Sequence, residues 1–197
     1  MKCHLKSLAV VANGWRLWPS LMFVAISSPD APIRADIRRW AQILFHEYSL
    51  TDSGLLWHHA WLMTYYPEYR NLAYIRLPMS RFYGWLMPKM GSLAIFCDDL
   101  GPGCFIQHGF ATMVSARRIG ANFWLNQQVT IGYSNDTDMP EIGDDVTVRP
   151  GAKIVGRVKI GNGATVGMNT VVTGNVPAHA TVFGVPGQVI WRKAPAQ

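Results

Sequence analysis

From Ile142 to Val172 the chain reads IGDDVTVRPGAKIVGRVKIGNGATVGMNTVV. An aliphatic residue returns every six positions, at Ile142, Val148, Ile154, Ile160, Val166 and Val172. Four residues after each of the first five stands a small or β-branched one: Val146, Ala152, Val158, Ala164 and Thr170. A helix repeats near 3.6 residues and an amphipathic strand every two, so neither accounts for a step of six. A short strand followed by a turn does. Three such units close into a triangular coil with the aliphatic side chains inside, and coils stack about 4.8 Å apart through main-chain hydrogen bonds.

Outward from this stretch, Ile119, Leu125 and Ile131 keep the step, preceded by Leu100 and Ile106. Twelve hexads predict four coils, and repeats stacked in this way share one continuous core. The spacing puts Met113 at the inward position after Ile106, with one extra residue near Gly109–Thr112. Between Ile131 and Ile142, five extra residues predict an outward loop, YSNDTDMPE (Tyr133–Glu141). Insertions in a solenoid gather on one face, often the binding face. Glycines at 120, 132, 143, 161 and 167 follow the aliphatic position, where a tight bend is expected.

Residues 1–91 have another character. They hold ten Lys/Arg against five Asp/Glu, and six of the eight tryptophans, whereas residues 92–197 are nearly balanced in charge. Two or three helices are expected here: one capped by Asp30 with Pro32 in its first turn, one starting at Asp52 or Ser53, and a short one over Glu68–Leu77. The division expected is therefore a helical region, 1–91, and a coil stack with a C-terminal tail, 92–197. Asn13, Gly14 and Arg16 interrupt the apolar N-terminal stretch, and no small-residue cleavage site follows it, so neither a spanning helix nor a leader is expected. Cys3, Cys97 and Cys104 supply neither a disulfide framework nor a paired metal motif, which suits a reducing, cytoplasmic setting. The basic surplus reads as a solvated helix face, since no nucleic-acid recognition motif accompanies it. Trp15, Trp18, Met22 and Phe23 form a candidate peripheral membrane contact, the alternative being packing between helices.

Four segments carry a family likeness: FIQHGFA (Phe105–Ala111), NQQVTIG (Asn126–Gly132), PGAKIVG (Pro150–Gly156) and GVP (Gly184–Pro186), with TYYPEYRNLAYIRL (Thr64–Leu77) before them. Together with the hexads they resemble the left-handed parallel β-helix acyltransferases of the hexapeptide-repeat superfamily. Within it they are most similar to serine acetyltransferases and to capsule or exopolysaccharide O-acetyltransferases. The resemblance implies a mainly β fold of left-handed hexad coils behind a small helical region, a homotrimer, and acetyl-coenzyme A as donor with no metal. His108 matches the catalytic histidine of that family, and a neutral imidazole is chemically suited to accept a hydroxyl proton. His179, past the last hexad, is read as structural. By the same resemblance Pro150, Gly151, Met168 and Asn169 match corners that line the donor, with Arg192 and Lys193 candidates for its phosphates. The amide of Gly132 or Tyr133 is a candidate oxyanion donor.

The departures matter for the acceptor. Gln107 stands where the family carries an aspartate before the histidine, and Leu93 where it carries an orienting aspartate; Asp98 or Asp99 are spatial substitutes to consider. The loop has no Arg-His pair and offers Asp136, Asp138 and Glu141, which would repel a carboxylate. With Gln107, Tyr133 and Asp136 as acceptor contacts, the sequence leans to a small-molecule or glycan acceptor, a sugar hydroxyl. Serine O-acetylation and a non-catalytic trimeric scaffold remain alternatives. A carbonic anhydrase needs three histidines around zinc, and only two follow residue 59.

Overall fold

The six-residue step closes into three parallel-sheet faces. On the first, Ile106, Leu125, Val148, Val166 and Val182 stand in register. On the second, Val114, Ile131, Ile154 and Val172 do so, and on the third Leu100, Ile119, Ile142 and Ile160, with an isolated bridge on to Val176. Apart from Leu100 at 8% and Val176 at 3%, every residue of these columns is at most 2% exposed. Val146, Ala152, Val158, Ala164 and Thr170 are equally buried and fill the gaps beside them. The structure, a computed structural model, describes residues 2–135 and 137–190. The chain divides into two units, Met1–Gly91 and Ser92–Gln197.

The first face is five strands deep, so the stack has about five turns, not the four expected. Val176 and Val182 continue the columns at sixteen residues from their partners instead of eighteen, which a strict period of six does not register. The register around residue 113 also differs. Met113 is 53% exposed and Val114 fully buried. The cause is a bulge of two residues, not one. Gln107 N donates to Leu125 O, and Gln128 N donates to Phe110 O, so His108 and Gly109 have no counterpart in the next coil.

The glycines after the aliphatic column serve close approach and not a bend. None of 120, 132, 143, 161 and 167 has a positive φ. A Cβ at Gly120 would collide with the main chain of Gly143 and Asp144, and one at Gly161 with that of Pro177 and Ala178, whereas Gly132 faces open space. At the C-terminal end, Thr181–Phe183 turns back into an antiparallel pair with Gln188–Ile190, and Gly187 N donates to Val171 O at 2.7 Å across the end of the second face.

The described residues of the helical unit form six α-helices where two or three were expected: α1 (Lys2–Ala12), α2 (Gly14–Ile26), α3 (Pro32–Phe45), α4 (Asp52–Tyr65), α5 (Pro67–Arg76) and α6 (Ser80–Tyr83). Pro32 and Pro67 open their helices at the first turn, where a missing N–H costs nothing. Asp30 does not cap α3, whose N-cap is Ala31. Thr51, one residue before the expected start, caps α4 by accepting from Gly54 N at 3.2 Å. Leu17, Ile37, Trp40, Leu62 and Tyr69 form the centre of this unit, each at most 1% exposed. A buried carboxylate, Asp36, is paired with Arg76 at 2.8 Å.

Candidate active site

His108 sits where the chain turns from the first face to the second. Its backbone is left-handed (φ 54°), its ring is exposed, and that ring forms no hydrogen bond among the described residues. The bulge that carries it is tied down on both sides. Phe110 N donates to the His108 carbonyl at 2.7 Å, and the buried Thr112 hydroxyl reaches the carbonyls of Phe110 and Asn126 at 3.1 and 3.3 Å. Asn126, 4% exposed, locks the same corner by donating to Val148 O at 2.9 Å.

Gln107 is oriented by a residue the sequence reading passed over. Trp124 Nε1 donates to Gln107 Oε1 at 3.2 Å, and Trp124 in turn packs edge-on against Phe105, ring centres 4.9 Å apart. Its carbonyl oxygen is thereby engaged, and Gln107 directly precedes His108 in the chain. The only signal for this was an aromatic at an outward hexad position.

Below His108 the corners stack in a row. Main-chain bonds run from Gln128 N to Phe110 O, Gly151 N to Gln127 O and Asn169 N to Pro150 O. Phe110, Gln127, Pro150 and Met168 therefore lie one above another, with Ala111, Gln128, Gly151 and Asn169 as a left-handed column behind them. Three coil steps span roughly 14 Å. The structure thus brings His108, Gln107, Pro150, Gly151, Met168 and Asn169 onto one edge. It adds exposed Phe110, a buried and unpartnered Gln127 Oε1, and Lys153, whose Nζ donates to Gln128 O at 2.6 Å. At Gly151, whose φ is 76°, a Cβ would strike the Asn169 amide oxygen, so a larger residue would have to displace that side chain.

Gly132 and Tyr133 are not on this edge. They root the loop at the far end of the second face, roughly 15 Å from the His108 corner, so within one chain neither amide faces His108. In that loop Asp138 accepts from Ser134 N and Asn135 N at 2.9 and 3.0 Å and from the Ser134 hydroxyl, which holds its carboxyl below the usual range. Glu141 lies between Arg117 at 3.4 Å and Lys159 at 3.5 Å. Two of the three acids expected to repel a carboxylate are thus already engaged. The third, Asp136, lies outside the described residues, as do Arg192 and Lys193.

Among the described residues no carboxylate is hydrogen-bonded to His108, and Asp98, one of the two substitutes considered, is exposed. Leu93 is buried beside Thr112, and Asp99 pairs with Arg118 at 3.2 Å on the third face. His179 lies at the corner between the third and first faces, over Gly163. Among the described residues no group of three His, Cys, Asp or Glu side chains could hold a metal.

Residues 139–174 match the family model described as bacterial transferase hexapeptide (six repeats). Over 154 residues the chain is 31% identical to a serine acetyltransferase of Staphylococcus epidermidis, covering 73% of this chain and 68% of the relative. The Staphylococcus aureus enzyme is 30% identical over 151 residues, with the same coverage of 73% and 68%. The chain belongs to the serine acetyltransferase family. It is an acyltransferase. Among solved structures, serine acetyltransferase of Neisseria gonorrhoeae superposes with a TM-score of 0.66 over 84% of this chain and 67% of that one, at 22% identity. The soybean apoenzyme superposes at 0.57 over 87% and 69%, at 26% identity. These serine acetyltransferase structures share the β-helix architecture described above.

Proposed function

We propose that this acyltransferase moves the acetyl group of acetyl-coenzyme A to the hydroxyl of serine, with His108 as general base. The observation that carries the reading is His108 itself. It is a solvent-facing histidine on a two-residue bulge, at the head of an open row of corners, in a chain 31% identical to a serine acetyltransferase. Serine acetyltransferases solved with coenzyme A and with serine support the donor and acceptor classes. In the step, the imidazole accepts the hydroxyl proton as the oxygen bonds to the thioester carbonyl carbon. The carbon–sulfur bond breaks, and the departing thiolate takes that proton to leave as coenzyme A. Phe110, Pro150 and Met168 give the row an apolar lining suited to a pantetheine arm, beside the main chain of Gly151 and Asn169. Gln107 offers its NH2 group to the acceptor.

The reading includes a threefold assembly. A site completed by Gly132, Tyr133 and the loop needs them from a neighbouring chain, because in one chain they stand at the opposite end of the second face from His108. A sugar hydroxyl is the second reading, favoured by one observation: Tyr133–Glu141 contains no basic residue to pair with a carboxylate. The test is thiol release from acetyl-coenzyme A with serine, nucleotide sugars and polysaccharide as acceptors, for wild type and His108→Asn. Formation of O-acetylserine, lost in the variant, is the expected result. Transfer to sugars alone would move the assignment to the second reading, and wild-type rates in His108→Asn would end both.

A further inference from the structure

The surface of α1 and α2 is unlike the rest of the helical unit. From Ser7 to Ile26 every exposed residue is apolar. Leu8, Val11, Trp15, Trp18, Met22 and Ile26 carry most of this surface, with Trp15 68% and Ile26 71% exposed. On α2 the stripe has helical spacing, while Leu17, Ser20 and Val24 on the other side are buried. Phe23, grouped with these residues on sequence grounds, does not belong to the stripe, because it stacks on Tyr83 at 5.9 Å. Soluble proteins seldom leave a contiguous apolar patch of this kind uncovered.

We propose that this face docks on the surface of a lipid bilayer carrying anionic headgroups. Four observations select that occupant. Among the described residues no single helix is long and apolar enough to cross a membrane, yet Lys6–Ala12 and Gly14–Ile26 together reach membrane-like hydropathy, bent by 80°. A pair bent this sharply, with its apolar stripe on one side of α2 and buried residues on the other, suits an orientation along an interface. The charged residues of the segment, exposed Lys6 at the edge of the patch and half-buried Arg16, which donates to Leu86 O at 2.6 Å, are both cationic, and no acidic residue precedes Asp30 in the sequence. Trp15 and Trp18 are of the type enriched where acyl chains meet headgroups. Finally, a groove of about 400 Å³ opens between these helices and α4, lined by Val10, Leu17, Leu21, Leu56 and Trp57 with Ser53 as its hydroxyl-bearing member, a wall suited to an acyl chain. A second copy of the chain fits less well, since an isologous contact would bring cations together with no acid on the patch to meet them.

The full-length protein is floated with phosphatidylcholine vesicles, with and without phosphatidylglycerol, alongside the double variant Trp18→Glu/Met22→Glu and the control Tyr48→Glu. Trp18, Met22 and Tyr48 are all exposed, so circular dichroism and melting should match wild type in every case. Wild type and Tyr48→Glu should float with the anionic vesicles and less with neutral ones, and added salt should weaken binding. The double variant should lose at least about tenfold in partitioning, with the mass in vesicle-free solution unchanged. Wild type that does not float, or a double variant that floats equally well, would overturn the proposal. So would a double variant whose assembly falls apart without vesicles, which would give the face to a second copy.

Discussion

At the level of single residues the molecule sets two histidines in opposite surroundings. His108 is exposed on a left-handed turn, a conformation that asparagine tolerates and alanine resists by about 1 kcal/mol. His108→Asn should therefore keep wild-type melting while turnover falls roughly 10²–10⁴-fold, and His108→Ala should add a small loss of stability. Its place was legible because the FIQHGFA segment marks it, but the hold of Trp124 on Gln107 was not, because that contact joins two coils. His59 is the contrary case. It is fully enclosed, its Nδ1 2.8 Å from the Tyr69 hydroxyl and its Nε2 without a partner, and burial pushes the imidazole down to about 3. The folded value lies below the ordinary 6.5, so the unfolded chain takes up the proton first. Stability is fully present above about pH 6.5 and drains away as pH falls toward 3. Helical signal followed against temperature should show a loss approaching 1 kcal/mol or more per pH unit in that window. His59→Phe should flatten this slope.

The elements were legible in proportion to their periodicity. Aliphatic residues six apart fixed three columns of the core, because each inward position meets its equivalent one coil away. The bulge at His108–Gly109 breaks the count, so the spacing points to Met113 for the position that Val114 occupies. The helices α1 and α2 were missed for a different reason: apolar residues on both their sides hide the helical period. Crowding between coils makes a prediction at this scale. Gly161→Ala would press a methyl group into the main chain of the next coil and should cost about 1–3 kcal/mol, seen as a lowered melting temperature. Gly132→Ala, facing open space, should melt as wild type does. Equal melting of the two would disprove the packing account. Ile154→Asp, which buries an unpaired charge in a fully enclosed position, should prevent folding altogether.

For the whole molecule, the separation of the His108 corner from the loop means that a site made from both draws on two chains. Mixing is the decisive measurement. His108→Asn chains and chains lacking the loop residues 134–139 should each be inactive alone, and co-refolding them should restore a fraction of wild-type turnover. Light scattering should report three chains. Restoration absent from a correctly assembled mixture would confine the site to one chain. The turned-back C-terminal strand has a consequence of its own. A pile of parallel strands about 4.8 Å apart is also the geometry of a fibril, and a bare last coil would be a template for the first coil of another molecule. Gln188–Ile190 covers one edge with a strand of opposite polarity, and Gly187 closes the next. On these two faces the hydrogen bonds that build the core are thereby kept from extending it into the parallel stack of another molecule.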